Sequence, residues 1–302
     1  MRKNIINLSF VLLIFLALPA MAKLSIVTST SDLEALVQAV GLDRADVFSI
    51  GKGTQDPHHV EAKPSFMVKM RNADLVLSQG LELESAWLVP LINGARNPKI
   101  TPGAQGFLEL ADKLEPLEIP KSTVTRADGD VHPGGNPHFQ LDPIRMGQAA
   151  VLIANRMGEL DPPNADFFHH QAEDLLKHLT QKTSEWQTRL LKTGLKEVVT
   201  YHKTFTYFLA RFGIRGELQL EPRPGIPPTA SHLMDLLKEI KSRKIRLVLV
   251  ENYYDLDAAQ KLKTEVSGLH VEEAPVSVGA EPDLKSTEQV IEKLVRLFEA
   301  AK

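Results

Sequence analysis

"DPPNADFFHHQAEDLLKHLTQKTSEWQTRLLKTG", Asp161 to Gly194, decides how the chain is built. Asp161 is a capping residue type, Pro162 and Pro163 suit a first turn, and Gly194 suits a stop. Between them Phe168, Ala172, Leu175, Leu179, Trp186 and Leu190 recur at spacings of three, four or their sums, which lays one apolar face along a single helix. At a rise of 1.5 Å per residue, a helix of about 30 residues reaches roughly 45 Å. That length can run the height of two lobes and join them as a stiff strut.

The flanks of this helix read as two α/β units. Upstream, "LSIVTS", "DVFSIG" and "ADLVLSQG" are short β-rich runs, alternating with "DLEALVQAV", a Pro-rich loop and "LESAWLVPLI". Downstream the pattern restarts with "EVVTYH", "RLVLVENYY" and "GLHVEEAPV", separated by helical stretches and closed by "STEQVIEKLVRLFEAA". Alternation of this kind gives βαβ units around a parallel sheet. The expected fold class is α/β, with two Rossmann-like lobes of parallel sheets, 23–160 and 196–302, joined by one long rigid helix over 161–195.

The first 22 residues have their own logic. Arg2 and Lys3, the run "FVLLIFLALPA" and "AMA" ending at Ala22 form the charged, apolar and small-residue regions of a secretory signal peptide. The run is too short for a spanning helix, which needs roughly 20 apolar residues. Removing Arg2 and Lys3 with this segment takes the net charge from −3 to −5, a mild value suited to solubility. An exported chain without cysteine must hold by its core, has no thiolate ligand or nucleophile, and lacks the attachment point of a lipoprotein. A freely diffusing, monomeric periplasmic protein is expected. No block of Lys and Arg interleaved with aromatics is present, so nucleic acid is not an expected partner.

Three histidines share an unusual setting. His58 follows a proline in "TQDPHHVEAKP", His138 sits between two prolines in "GGNPHFQLDP", and His202 ends the apolar run "EVVTYH". Ligands of open parallel sheets lie beyond the carboxyl ends of the strands, and all three histidines fall there, two from the first lobe and one from the second. An isolated histidine is ordinarily a core or surface group. Three so placed match a tetrahedral zinc site of imidazoles completed by a carboxylate or water, and prolines lower the entropy lost on ordering the loops. No local motif such as H-E-x-x-H supports the assignment.

At these places together the sequence resembles the zinc and manganese substrate-binding proteins of ABC transporters, the ZnuA/TroA-like family. "DPHHVEAKPSFMVKMRNADLVLSQGLELE" is similar to the family's first-ligand segment, "GNPHFQLDP" to its second and "TYHKTFTYFLARFGI" to its third, while "EPRPGIPPTASHLMDLLKEIKSRKIRLVLVENYYD" follows its second-lobe pattern. The likeness covers nearly the whole chain after the signal. It implies two α/β lobes joined by a long helix, metal ligands His58, His138 and His202, and delivery of the ion to an inner-membrane permease. Manganese-selective members often carry a carboxylate in place of the third histidine, so the nitrogen set favours Zn²⁺ over Mn²⁺.

The fourth ligand departs from the pattern. Many members have an Asp after the last strand of the second lobe, where this chain reads "VEEAPVSVGAEPD" with Ala274 and Pro275 near the expected place. Glu251 is the substitute by position, as a direct ligand or as a loop-anchoring carboxylate; Glu281, Asp283 and water are the other options. Zinc-specific members often have a long His-rich acidic loop before the second ligand. Here only "TRADGDVHPGGNPH" stands there, with Asp128, Asp130 and His132; it reads either as a short vestige that catches or passes metal or, the preferred expectation, as a solvated Gly-rich loop. His59 reads as a neighbour of the first ligand, His169, His170 and His178 as a solvated helix face with Asp166–His170 and Asp174–His178 pairs, and His232 and His270 as structural. Glu221 to Pro228, "EPRPGIPP", is a stiff loop, either a plain connection or a wall of the cleft.

A binding protein, not an enzyme, is therefore the leading reading. The rivals are a manganese-binding relative, a zinc hydrolase with Glu251 as base on an open metal position, and an adhesin or scaffold that uses metal only for stability. A closed, buried site separates the first class from catalysis.

Overall fold

The computed structural model describes residues 23–125 and 128–302, so the signal-peptide reading lies outside it. The first sheet is built from β1 (Leu24–Thr28), β2 (Ala45–Ser49), β3 (Leu75–Ser78) and β4 (Phe107–Glu109), in the order β2-β1-β3-β4 with every pairing parallel. The second repeats this plan with β5 (Glu197–Thr200), β6 (Arg215–Gln219), β7 (Leu247–Glu251) and β8 (His270–Ala274), in the order β6-β5-β7-β8. Every residue of β3 and of β7 is buried, which is what a parallel strand covered on both faces requires and why these runs do not alternate.

Helices cover the sheets. The first lobe contributes α1 (Ser31–Gly41), α2 (Pro64–Arg71) and α3 (Ser85–Ala95); α4 (Pro143–Leu160) and α5 (Ala165–Thr193) follow; the second lobe contributes α6 (Thr206–Phe212), α7 (Ala230–Arg243), α8 (Asp257–Glu265) and α9 (Thr287–Ala300). Their starts obey capping chemistry. Thr30 caps α1 by accepting from the Leu33 N–H, and Asp142 caps α4 through the Ile144 and Arg145 N–H groups ahead of a Pro at the first helical position.

The long helix has the expected apolar face, with Phe168, Ala172, Leu179, Trp186 and Leu190 buried and Leu175 packed against them. Its start and its setting differ from expectation. Asp161 closes α4, and Pro162–Asn164 make one 3-10 turn before α5 begins at Ala165, because two prolines remove donors that a continuous helix would use. Moreover α5 lies antiparallel along α4, and Gly147 makes that contact possible: a Cβ there would meet the Leu176 Cα at 2.9 Å. On the second-lobe side α5 packs against α9, where Arg189 forks to Glu292 and Glu299 at 2.7 and 2.8 Å and Trp186 Nε1 donates to Glu292.

One core cluster accordingly runs from β1 and α1 through α4 and α5 to α6 and α9. The lobes also touch directly. Ser31 donates to the Val278 carbonyl at 2.7 Å, Asp32 accepts the Val278 N–H at 2.9 Å, and Asn252 donates to the Gly53 carbonyl at 3.0 Å. Any side chain at Gly53 would strike the Val278 carbonyl at 2.2 Å, so this interlobe contact demands glycine.

Trp186 is fully buried on the face of α5 that meets α9, and Trp186→Ala is expected to destabilise the protein by about 3–5 kcal/mol, read as a lowered urea midpoint by circular dichroism.

Candidate metal centre

The carboxyl ends of both sheets face one another, and His58, His138 and His202 meet there. One ring nitrogen from each lies within 4.8 Å of the other two, and all three residues are buried. Their rings stand edge to face, with centroids 5.2 to 5.5 Å apart. Each arrives by a different device.

His58 sits in the loop after β2. Asp56, two residues earlier, accepts both the His58 N–H at 2.9 Å and its Nδ1 proton at 2.7 Å, which leaves the Nε2 lone pair free. Burial alone would raise the Asp56 carboxyl, but the hydrogen bonds and charge of His58 outweigh it and hold the group down at about 2. Tyr254, from the second lobe, donates to the other Asp56 oxygen at 3.2 Å. Trp87 of α3 fixes the loop by donating to the Pro57 carbonyl at 2.9 Å.

His138 is held by its backbone. Asn136 accepts the His138 N–H at 2.9 Å and donates to the Lys203 carbonyl, while Tyr207 donates to the Asn136 carbonyl, so the second lobe grips this loop too. The imidazole itself has no partner in the protein on either nitrogen, though it is 1% exposed. Burial and the neighbouring histidines push its pKa well below the usual value.

His202 lies two residues beyond β5. Its Nδ1 donates to Glu221 at 2.7 Å, and its backbone N–H donates to Glu251 Oε1 at 3.2 Å. Burial opposes the charged ring, but the Glu221 bond and charge outweigh it and raise the pKa. Carboxylate–histidine pairs of this kind fix tautomer and ring orientation for metal ligation.

Glu251 is fully buried at the end of β7 and stands outside the mutually close nitrogen set. One oxygen anchors the His202 backbone and the other has no protein partner, and burial raises the group to about 7. Glu281 pairs with Lys293 at 2.9 Å, and Asp283 is exposed. His59 is exposed beside His58. On α5, His170 pairs with Asp174, one turn later rather than earlier, and His178 pairs with Glu288 of α9 instead of Asp174. His232 bonds the Gln219 carbonyl and His270 opens β8.

His132 corrects the expectation of a solvated loop. Its ring stacks on His58, centroids 5.4 Å apart, and Nε2 faces His58 Nε2 at 3.3 Å. The Gly-Pro-rich composition that reads as solvated is what lets the loop turn inward. Sequence reasoning also missed the orienting carboxylates. Asp56 was legible as an acid two residues before a candidate ligand, whereas Glu221 needs the knowledge that β6 lies beside β5. The loop from Glu221 thereby becomes a wall of the site.

A cavity of about 110 Å³ opens beside the imidazoles, lined among others by His132, His138, His202, Asp130 and Pro224. It admits an ion and a few waters, well below the roughly 300–1,000 Å³ of pockets for organic ligands. The buried His138 imidazole without a protein partner, beside two imidazoles whose Nδ1 protons are committed to carboxylates, fits a cation of the zinc type.

Fold and site together define a two-lobe solute-binding protein of the metal-binding kind. Residues 26–300 match the family model "ZnuA: Zinc-uptake complex component A periplasmic", and the chain belongs to that family. Relatives include the high-affinity zinc uptake system protein ZnuA of Yersinia pestis, 27% identical over 65% of each chain, and the manganese ABC transporter substrate-binding lipoprotein PsaA of Streptococcus pneumoniae, 24% identical over 77% of this chain and 73% of that one. The zinc-binding lipoprotein AdcA of Streptococcus pneumoniae R6 is 24% identical over 93% of this chain, which spans only 55% of that longer protein. A ZnuA crystal structure superposes with a TM-score of 0.76 at 22% identity, over 91% of this chain and 98% of that one. A mutant laminin-binding adhesin of Streptococcus agalactiae superposes at 0.77 and 24% identity, over 92% and 100%. These structures share the two-lobe fold.

In the metal-free protein the histidines should titrate apart. NMR of the imidazole resonances is expected to show His138 neutral well below pH 6.5 and His202 charging above it; a His138 that titrates normally would mean that its burial is wrongly placed.

Proposed function

We propose that this chain captures a zinc ion between its lobes, through His58, His138 and His202, and hands it to an ABC permease in the inner membrane. The observation that carries this reading is the His138 imidazole, buried with no protein partner for either nitrogen and flanked by two histidines whose tautomers are fixed by Asp56 and Glu221. Leaving such groups unsatisfied is unfavourable, and a bound cation resolves it. A nitrogen-rich donor set supports zinc over manganese, which favours oxygen ligands.

Glu251 acts here as the anchor of the His202 backbone. That role, and a cavity too small for an organic substrate, speak for binding rather than for a hydrolase with Glu251 as base. Interlobe bonds at Val278, Gly53 and Asn136 restrain large hinge motion, so release is assigned to contact with the permease or to local opening of the ligand loops.

Competitive titration of the metal-free protein with Zn(II) and Mn(II) tests the reading. One tight zinc site, weak manganese binding and a loss of about 100-fold or more in His202→Ala are expected; tight manganese binding or an unaffected variant would overturn the zinc assignment. Protons compete for the same lone pairs. Because the His202 pKa is raised above 6.5, zinc affinity should begin to fall as pH drops through and just above that value, and the same titration repeated at descending pH measures it.

A further inference from the structure

The three-histidine set leaves a fourth position, and at the end of β8, where an aspartate is expected, the chain has Ala274 and Pro275. We infer that His132 fills it, making the centre a four-imidazole site; this rests on the zinc reading above. His132 Nε2 and His58 Nε2 face each other at 3.3 Å. In a tetrahedron with Zn–N bonds of roughly 2.0–2.1 Å, two ligand nitrogens stand about 3.3–3.4 Å apart. The contact already has the edge length of such a site.

Proton bookkeeping points the same way. The Nδ1 proton of His58 is committed to Asp56, so its Nε2 presents a lone pair toward His132. The His132 imidazole has a second neighbour able to take a proton, the Leu81 backbone. With the His132 proton turned to that side, two lone pairs would oppose each other across 3.3 Å, an arrangement that calls for a cation between them.

The loop that carries His132 is seated on the opposite lobe. The Asp130 N–H donates to the Pro224 carbonyl at 2.9 Å, and the Gly225 N–H donates to Glu221 Oε2, the oxygen that also receives the His202 Nδ1 proton. His132 thus approaches from the side of His202 while touching His58. Such a placement suits a ligand that closes the centre from the cavity side, since the same cavity is lined by His132, His138 and His202. Of the carboxylates, Glu281 pairs with Lys293, and Glu251 spends one oxygen on the His202 backbone and stands outside the set of mutually close ligand atoms.

Zinc K-edge X-ray absorption on the full mature chain, with chelator competition in parallel, decides the matter. Unsubstituted protein is expected to show four imidazole donors. His132→Ala should keep one zinc per chain, lose one imidazole in favour of water oxygen, and bind roughly tenfold or more weakly. His132→Glu should restore part of the affinity with three imidazoles and one oxygen. An unchanged imidazole count and affinity in His132→Ala would overturn the fourth-ligand role while leaving the three-histidine site standing. Failure of the unsubstituted protein to hold zinc, or an unaffected His202→Ala, would remove the underlying reading as well.

Discussion

Three imidazoles from two lobes must be held within bonding reach of one point, and the rest of the molecule answers to that constraint. An imidazole binds metal only through a lone pair in a fixed direction. The Asp56–His58 and Glu221–His202 pairs supply that direction at two of the three sites. Both carboxylates depend in turn on the other parts of the fold: Tyr254 of the second lobe holds Asp56, and the Gly225 N–H holds Glu221. The orientation of His58 is thereby tied to a contact that crosses the cleft, and that of His202 to contacts within its own lobe.

Such contacts are useful only if the lobes keep their distance. The pair α4 and α5 makes them do so, because its apolar face is continuous with the cores of both sheets. A single strut would bend; two helices in close contact through Gly147, braced by the Arg189 fork to α9, resist bending. The direct bonds of Ser31, Asp32 and Gly53 to the second lobe add a further tie between the lobes.

How much of this could be read beforehand follows from which interactions are local. The α5 face, the capping of α4 by Asp142 and the uniformly apolar β7 are properties of consecutive residues, and the sequence shows them. The convergence of His58, His138 and His202 was legible because strand ends in a parallel sheet share one side. Glu221 was not legible as the His202 partner, since that depends on β6 lying next to β5, a choice made by the whole sheet. His132 was misread for a related reason: Gly and Pro around it specify a loop, but composition does not say which way a loop folds. The start of α5 was misplaced because Asp161 could equally end one helix or begin the next, and two prolines after it decided for a 3-10 turn.

The metal-free centre is poised rather than relaxed. His138 has two buried nitrogens without protein partners, Glu251 has one such oxygen, and burial has pushed the carboxyl to about 7 so that neutralisation competes with ionisation. A buried polar group left unpaired costs on the order of 1–3 kcal/mol. In a merely structural core, apolar residues of similar shape would often be neutral or stabilising in these places. In a site with room for little more than an ion the unfavourable arrangement makes sense if it is relieved by binding, because relief on one side of an equilibrium is affinity on the other. The same logic explains why the surrounding fold is so firmly tied: a centre that could rearrange to satisfy its own lone pairs would have less to gain from the metal.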